Sequence, residues 1–248
     1  MSFGITGNLE NDAGVGHAAL EKRQHNGDQI LELKTLPQNE NARDASIPES
    51  SSSRFMVSED SIRLAARLQA SAADGQLIVF TGTHEDDGVA TVATQVALAM
   101  VHAGVRPVLL IDANVHAPSI HKTFDIDIAP GLAQLLEGSS TIESVIHGLG
   151  EVDLWILPAG SRAHDSASLF SSAVFSRFFN EIKKQFRFVI VNSPPILDHA
   201  ESVVIAGRSD GVVMVLAAGA RTRTDLRKIK DELDGVKARL LGAVLSKT

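Results

Sequence analysis

The chain has 248 residues, 44% of them hydrophobic, with 23 Lys and Arg against 30 Asp and Glu, a net charge of -7 and no cysteine. That length and apolar content suffice for one α/β core of ordinary size. The negative balance argues against general nucleic-acid or anionic-membrane binding through basic patches, and the missing thiols exclude disulfides and thiolate chemistry.

In chain order, the sequence opens on a polar stretch rich in Asn, Glu, Asp, Gly and Ser that ends in Glu49-Ser50-Ser51-Ser52-Ser53. It offers too little apolar area to offset its ordering entropy, so residues 1–54 are expected to form a disordered tail and 55–248 a folded α/β domain. Within the tail, Ile30-Leu31-Glu32-Leu33 is the one short apolar run, read as a chance cluster rather than a docking motif. No basic segment followed by an apolar run opens the chain, and no apolar stretch of eighteen residues occurs, so neither a signal peptide nor a membrane span is expected. A helix is predicted to start with Ser58 as N-cap and Glu59 and Asp60 in its first turn.

Six apolar, β-branched runs then alternate with helical patterns. They are Leu77–Phe80, Val108–Ile111, Val152–Leu157, Phe188–Val191, Val212–Leu216 and Leu240–Leu245. Near-continuous apolar runs separated by helices predict a doubly wound, mostly parallel sheet with helices on both faces. One intervening helix shows its buried stripe as Leu226, Ile229, Leu233 and Val236. In such sheets ligands sit at the carboxyl ends of the strands, here Gly82, Asp112, Pro158, Asn192, Ala217 and Ser246.

Between the first strand and the helix after it runs Thr81-Gly82-Thr83-His84-Glu85-Asp86-Asp87-Gly88-Val89-Ala90-Thr91, where a phosphate-binding loop belongs. The working motif, G-x-x-x-x-G-K-S/T, cradles phosphates with backbone N–H groups, reaches them with Lys and holds Mg²⁺ with a hydroxyl. Here Val89 stands in place of the cation and Ala90 in place of the hydroxyl. Thr91 carries a hydroxyl one position late, and a helical step of about 100° is expected to turn it away. Glu85, Asp86 and Asp87 are read as an exposed acidic turn.

Five ordered blocks extend the pattern: Leu109–Asn114, Gly131–Gly138, Leu157–Gly160, Phe188–Pro195 and Asp210–Val215. Together they resemble the cytoplasmic ATPase domain of the bacterial tyrosine kinases of capsule and exopolysaccharide systems, P-loop relatives of the Min and Par ATPases. The resemblance covers roughly residues 58–248. It implies a P-loop NTPase-like fold and a nucleotide site built from Gly82, Gly88, Val89, Ala90, Thr91, Asp112, Asn114, Asn192 and Ser246. In that family the second motif reads Ile-Asp-Ala-Asp and the third strand ends in Asp before Ser-Pro-Pro; here the changed residues are Asn114 and Asn192, and a base-contacting Asn is Ser246. Four departures at one site predict a vestigial nucleotide site with no catalytic residue. No cofactor is expected, with room left for weak ATP or ADP and Mg²⁺ binding.

Active members usually end in a tyrosine cluster, whereas this chain has no Tyr, so self-phosphorylation on tyrosine is excluded for it. The helix at 58–70 keeps part of a family subunit-packing pattern, Asp60, Arg63 and a displaced Arg67, which implies a subunit contact and leaves self-association open. The implied partner is the cytoplasmic segment of a membrane chain-length regulator, or an active kinase homologue. The alternative is a live ATPase or kinase with an atypical site. A positioning ATPase is a third reading, set aside because no basic amphipathic helix follows residue 246 to anchor it. His84, His116 and His121 with Asp112 could in principle form a transition-metal set, but no short ligand spacing such as H-x-x-x-H joins the three histidines and a metal site is not expected. Ser193, with no nucleophile elbow around it, is read as part of a turn, and Asp165 and Asp198 as ordinary loop residues.

Overall fold

A computed structural model of the chain describes residues 57–70, 75–149, 153–161, 165–218 and 223–246. The expected tail and its Ile30–Leu33 run lie outside the described residues. Ser58 caps the first helix as expected: its Oγ accepts the Ser61 backbone N–H at 3.2 Å, and α1 (Glu59–Ala70) follows.

The described strands are β1 (Gln76–Thr81), β2 (Val108–Asp112), β3 (His147–Leu149), β4 (Leu154–Leu157), β5 (Phe188–Asn192), β6 (Gly211–Ala217) and β7 (Leu240–Ser246), in the spatial order β3-β4-β2-β5-β1-β6-β7. All neighbours run parallel except β3, which pairs antiparallel with β4 at the edge. That edge strand went unread in the sequence because His147-Gly148-Leu149 is too short to show alternation. The third expected run, Val152–Leu157, pairs later than expected, since Asp153 takes a φ of 48° and extended pairing begins at Leu154.

Strand alternation feeds two cores. Leu77, Val79, Leu109, Ile111, Val189 and Val191 face one side, and Ile78, Phe80, Val108, Leu110, Phe188 and Ile190 the other. The second face is covered by α1, α2 (Val89–His102) and α3 (Ile120–Phe124). The first is covered by α4 (Leu132–Leu136), α5 (Ile142–Val145), α6 (Ser166–Ser171), α7 (Ala173–Ile182), α8 (Ala200–Ala206) and α9 (Arg223–Gly235). Continuously apolar strands are what a sheet covered on both faces requires. The stripe of α9 is narrower than its pattern: Ile229 and Leu233 are buried, but Leu226 is 43% exposed and Val236 lies beyond the helix end.

Candidate functional site: the cavity at the start of α2

β1 delivers the chain at Thr81 to a loop that closes with one 3₁₀ turn, Glu85–Asp87, and enters α2 through Gly88. Gly88 has φ 77°, the left-handed region that glycine occupies without a Cβ penalty. The acidic turn divides in two. Glu85 and Asp86 are exposed, as expected, but Asp87 is fully buried. Its Oδ2 accepts the Thr83 N–H at 2.6 Å, the Thr83 hydroxyl at 2.6 Å and the His84 N–H at 2.9 Å, and its Oδ1 accepts the Ala217 N–H of β6 at 2.8 Å. A Cβ on Gly82 would lie 2.8 Å from Asp87 Oδ2, so glycine is required there for this carboxylate to turn inward. The loop is thus shaped by its own aspartate, and it needs no bound anion to hold its form.

Beside the loop, Asp112 and Asn192 stand opposite each other at the ends of β2 and β5. Asn192 Nδ2 donates to Asp112 Oδ1 at 2.8 Å, and the Asn114 N–H donates to the same oxygen at 3.2 Å. Asp112 Oδ2 accepts the N–H groups of Ser119 and Ile120 at 3.0 and 3.1 Å, satisfying the start of α3. Burial pushes the Asp112 carboxyl up from its ordinary value, and the hydrogen bonds from Asn192, Ile120, Ser119 and Asn114 offset part of that rise. Asn114 is equally engaged: its Nδ2 donates to Glu85 Oε2 at 2.9 Å while its Oδ1 accepts the N–H groups of His116 and Ala117.

These elements enclose a cavity of about 270 Å³ at the amino end of α2. Gly88, Val89, Ala90, Thr91, Asn114 and Asn192 lie in its wall, with Ser193 and His84. Thr91, expected to point away, borders the cavity. Gly82, Asp112 and Ser246 do not: Asp112 is sealed behind Asn192, and Ser246 pairs with Ala217 on the edge strand. Among the described residues the wall contains no Lys or Arg. Val89 is 7% exposed and packs into the core beneath α2. The amide oxygen of Asn192 and the hydroxyl of Ser193 are buried at the wall without a hydrogen-bond partner in the protein, so the cavity floor is polar and neutral.

The histidines regroup. His121 is away from the cavity wall, with Nδ1 buried and unpartnered, and His84 Nδ1 lies 3.5 Å from Asp198. His116 turns instead to Glu201, with His199 stacked on it; sequence spacing gave no sign of this grouping. Asp165, read as an ordinary loop residue, caps α6 by accepting the Ser168 N–H at 3.0 Å.

No protein-family model matches the chain. Among curated proteins, it is 28% identical over 181 residues to the tyrosine-protein kinase CpsD of Streptococcus agalactiae, spanning 73% of this chain and 79% of that one. It is also 28% identical over 195 residues to the tyrosine-protein kinase YwqD of Bacillus subtilis, spanning 78% and 82%. In fold it matches the kinase domain of the Escherichia coli tyrosine kinase ETK, with a TM-score of 0.70 at 20% identity over 75% of this chain and 72% of that one. It also matches Pyrococcus horikoshii MinD, solved with Mg-ADP, with a TM-score of 0.58 at 18% identity over 68% and 69%. The chain is a homologue of the bacterial tyrosine kinases, built on the P-loop fold that they share with MinD-like ATPases.

Proposed function

We propose that this chain is a catalytically inactive relative of the tyrosine kinases, acting as a regulatory or binding subunit in capsule or exopolysaccharide assembly on the cytoplasmic side of the membrane. The observation that carries the reading is the wall of the α2 cavity: Val89 and Ala90 occupy the positions of the motif's cation and metal hydroxyl, and among the described residues of the wall no other cation replaces them. A unit charge about 4 Å from a phosphate is worth up to ~4 kcal/mol at an effective dielectric near 20, before desolvation is subtracted. Each ~1.4 kcal/mol forfeited costs tenfold in affinity. Glu85 adds a negative charge at the rim, and Asp112 has both oxygens engaged by protein donors, which leaves Mg²⁺ without its usual carboxylate.

The first turn of α2 still presents backbone N–H groups to an anion, and Thr91 supplies a hydroxyl to the wall. These favour weak nucleotide binding over none. Among the described residues no helix is long and apolar enough to cross a membrane. A partner is therefore the means of membrane recruitment in this reading: the cytoplasmic segment of a chain-length regulator, or an active kinase homologue. The docking surface is assigned to α1, whose Asp60, Arg63 and Arg67 are exposed.

Calorimetric titration with ATP·Mg²⁺ tests the inactivity. The expected dissociation constant is millimolar or beyond measurement. A micromolar value at 0.15 M salt, or magnesium-dependent hydrolysis by the purified chain, would show a live nucleotide enzyme instead.

A further inference from the structure

Three side chains from two distant segments meet beside the cavity. His116 lies in the loop after β2, His199 is the N-cap of α8, and Glu201 is in the first turn of α8. One ligand atom from each lies within 4.8 Å of the other two. We propose that His116, His199 and Glu201 form a binding site for a divalent transition-metal ion of the zinc class.

The donor set suits that ion. Two imidazole nitrogens and one carboxylate oxygen, with water in the fourth position, make an open tetrahedral site of the kind Zn²⁺ takes, whereas Mg²⁺ prefers oxygen ligands and retains its waters. Glu201 is built as a ligand. It is 4% exposed, and Ser166 Oγ donates to its Oε1 at 2.8 Å, an outer hydrogen bond of the sort that orients metal-binding carboxylates.

The imidazoles supply the other two donors. His116 Nε2 contacts Glu201 Oε1, and the His116 and His199 rings stack with centroids 3.9 Å apart and planes 20° from parallel. A single His–Glu ion pair accounts for one ring only; the second ring, held against it, is the feature that a shared ion explains. The His116 and His199 side chains are 28% and 24% exposed, which leaves an entry path from solvent. Binding an ion with Zn–N bonds of about 2.0–2.1 Å would set the ligand atoms roughly 3.3 Å apart, which parts His116 Nε2 from Glu201 Oε1 and turns the stacked rings so that their in-plane lone pairs converge. Glu85 Oε1, 4.0 Å from His199 Nε2, lies within reach of the second shell. Because Glu85 also lines the cavity and bonds Asn114, an ion here would tie together the loops after β1 and β2 and the start of α8.

The test uses the full chain, stripped of metal with a chelator, and no nucleotide. Zn²⁺ is titrated by calorimetry and Co²⁺ by its visible absorption, alongside His116→Ala, His199→Ala, Glu201→Gln and, as a control for the chain's other histidines, the exposed His102→Ala. Expected are one ion per chain in the micromolar range or tighter, a tetrahedral Co²⁺ spectrum, and a metal-induced rise in melting temperature. Each cluster variant should weaken binding by about tenfold or more, the scale on which even outer-shell changes act, and His102→Ala should leave it unchanged. Should Glu201→Gln fail to fold, the partly exposed His199→Ala decides. Binding weaker than about 100 µM in the parent chain, or a His199→Ala variant that binds as tightly as the parent, overturns the site and leaves a His116–Glu201 ion pair only.

Discussion

Asn192 Nδ2 donates a 2.8 Å hydrogen bond to Asp112 Oδ1 across the β2–β5 pair, where both residues are almost fully buried. Two carboxylates in these positions would face each other in low dielectric and would need a cation between them. With an amide on one side the pair satisfies itself, and the metal becomes dispensable to the fold. The amide at position 192 thus stabilises its partner by hydrogen bonding alone.

Asn192→Asp should therefore destabilise the chain by about 2–4 kcal/mol at neutral pH, measured by urea denaturation. The sign of its pH dependence follows from burial. A carboxyl whose folded-state pKa is raised favours the protonated form, so its penalty is full above that pKa and shrinks as pH falls through it. The Asp112 carboxyl is already raised, and a second carboxylate would raise the pair further. The deficit of the variant should thus narrow on acidification. A variant as stable as the parent at pH 8 would show that the two side chains are not coupled.

Asp87→Asn probes the loop's internal brace. Four donors converge on this buried carboxylate, and an amide can accept only on its oxygen side while its NH₂ faces the remaining N–H groups. A loss of about 2–4 kcal/mol is expected, since a buried donor left unsatisfied costs ~1–3 kcal/mol each and charge-assisted bonds more. Protease susceptibility should rise between Gly82 and Gly88. Unchanged stability would mean that the loop is held elsewhere.

Restoring the motif in part, with Val89→Lys and Ala90→Thr together, should recover measurable ATP binding with little turnover. The cation returns, but Asn114 and Asn192 still leave Mg²⁺ poorly held. Because Val89 is packed in the core, its replacement is expected to cost some stability as well. Single-turnover phosphate release at a rate typical of an active kinase would place the defect in the loop alone.

Arg63→Glu separates surface from cavity. Arg63 pairs with Glu59 one turn earlier, an exposed contact worth only ~0.3–0.5 kcal/mol, so folding should be unaffected. If α1 is the docking face, losing a charge from an interface pair should weaken partner binding or self-association by ~2–5 kcal/mol and reduce polymer production in cells. Thr91→Ala, in the cavity wall, should leave both intact. The reverse outcome in a pull-down and a polysaccharide assay would favour a working nucleotide site.

The doubly wound sheet was legible before any coordinates because its information is local. Runs such as Phe188–Val191 are apolar at every position, and a strand needs that only when both faces are covered. The loop at Gly82–Gly88 and the absence of its Lys could likewise be read from spacing within a dozen residues. What stayed hidden depends on distance in space rather than in sequence. Whether Asp87 is an exposed acid or a buried brace is decided by Ala217, 130 residues away, and the role of Asp112 by Asn192, 80 residues away. The grouping of His116 with His199 and Glu201 rests on where β2 ends relative to where α8 begins. Leu226 shows the converse: its helical period is right, yet it remains 43% exposed. Periodicity records which way a side chain points along its own element; only packing supplies the partner that a carboxylate, an imidazole or a leucine finds there.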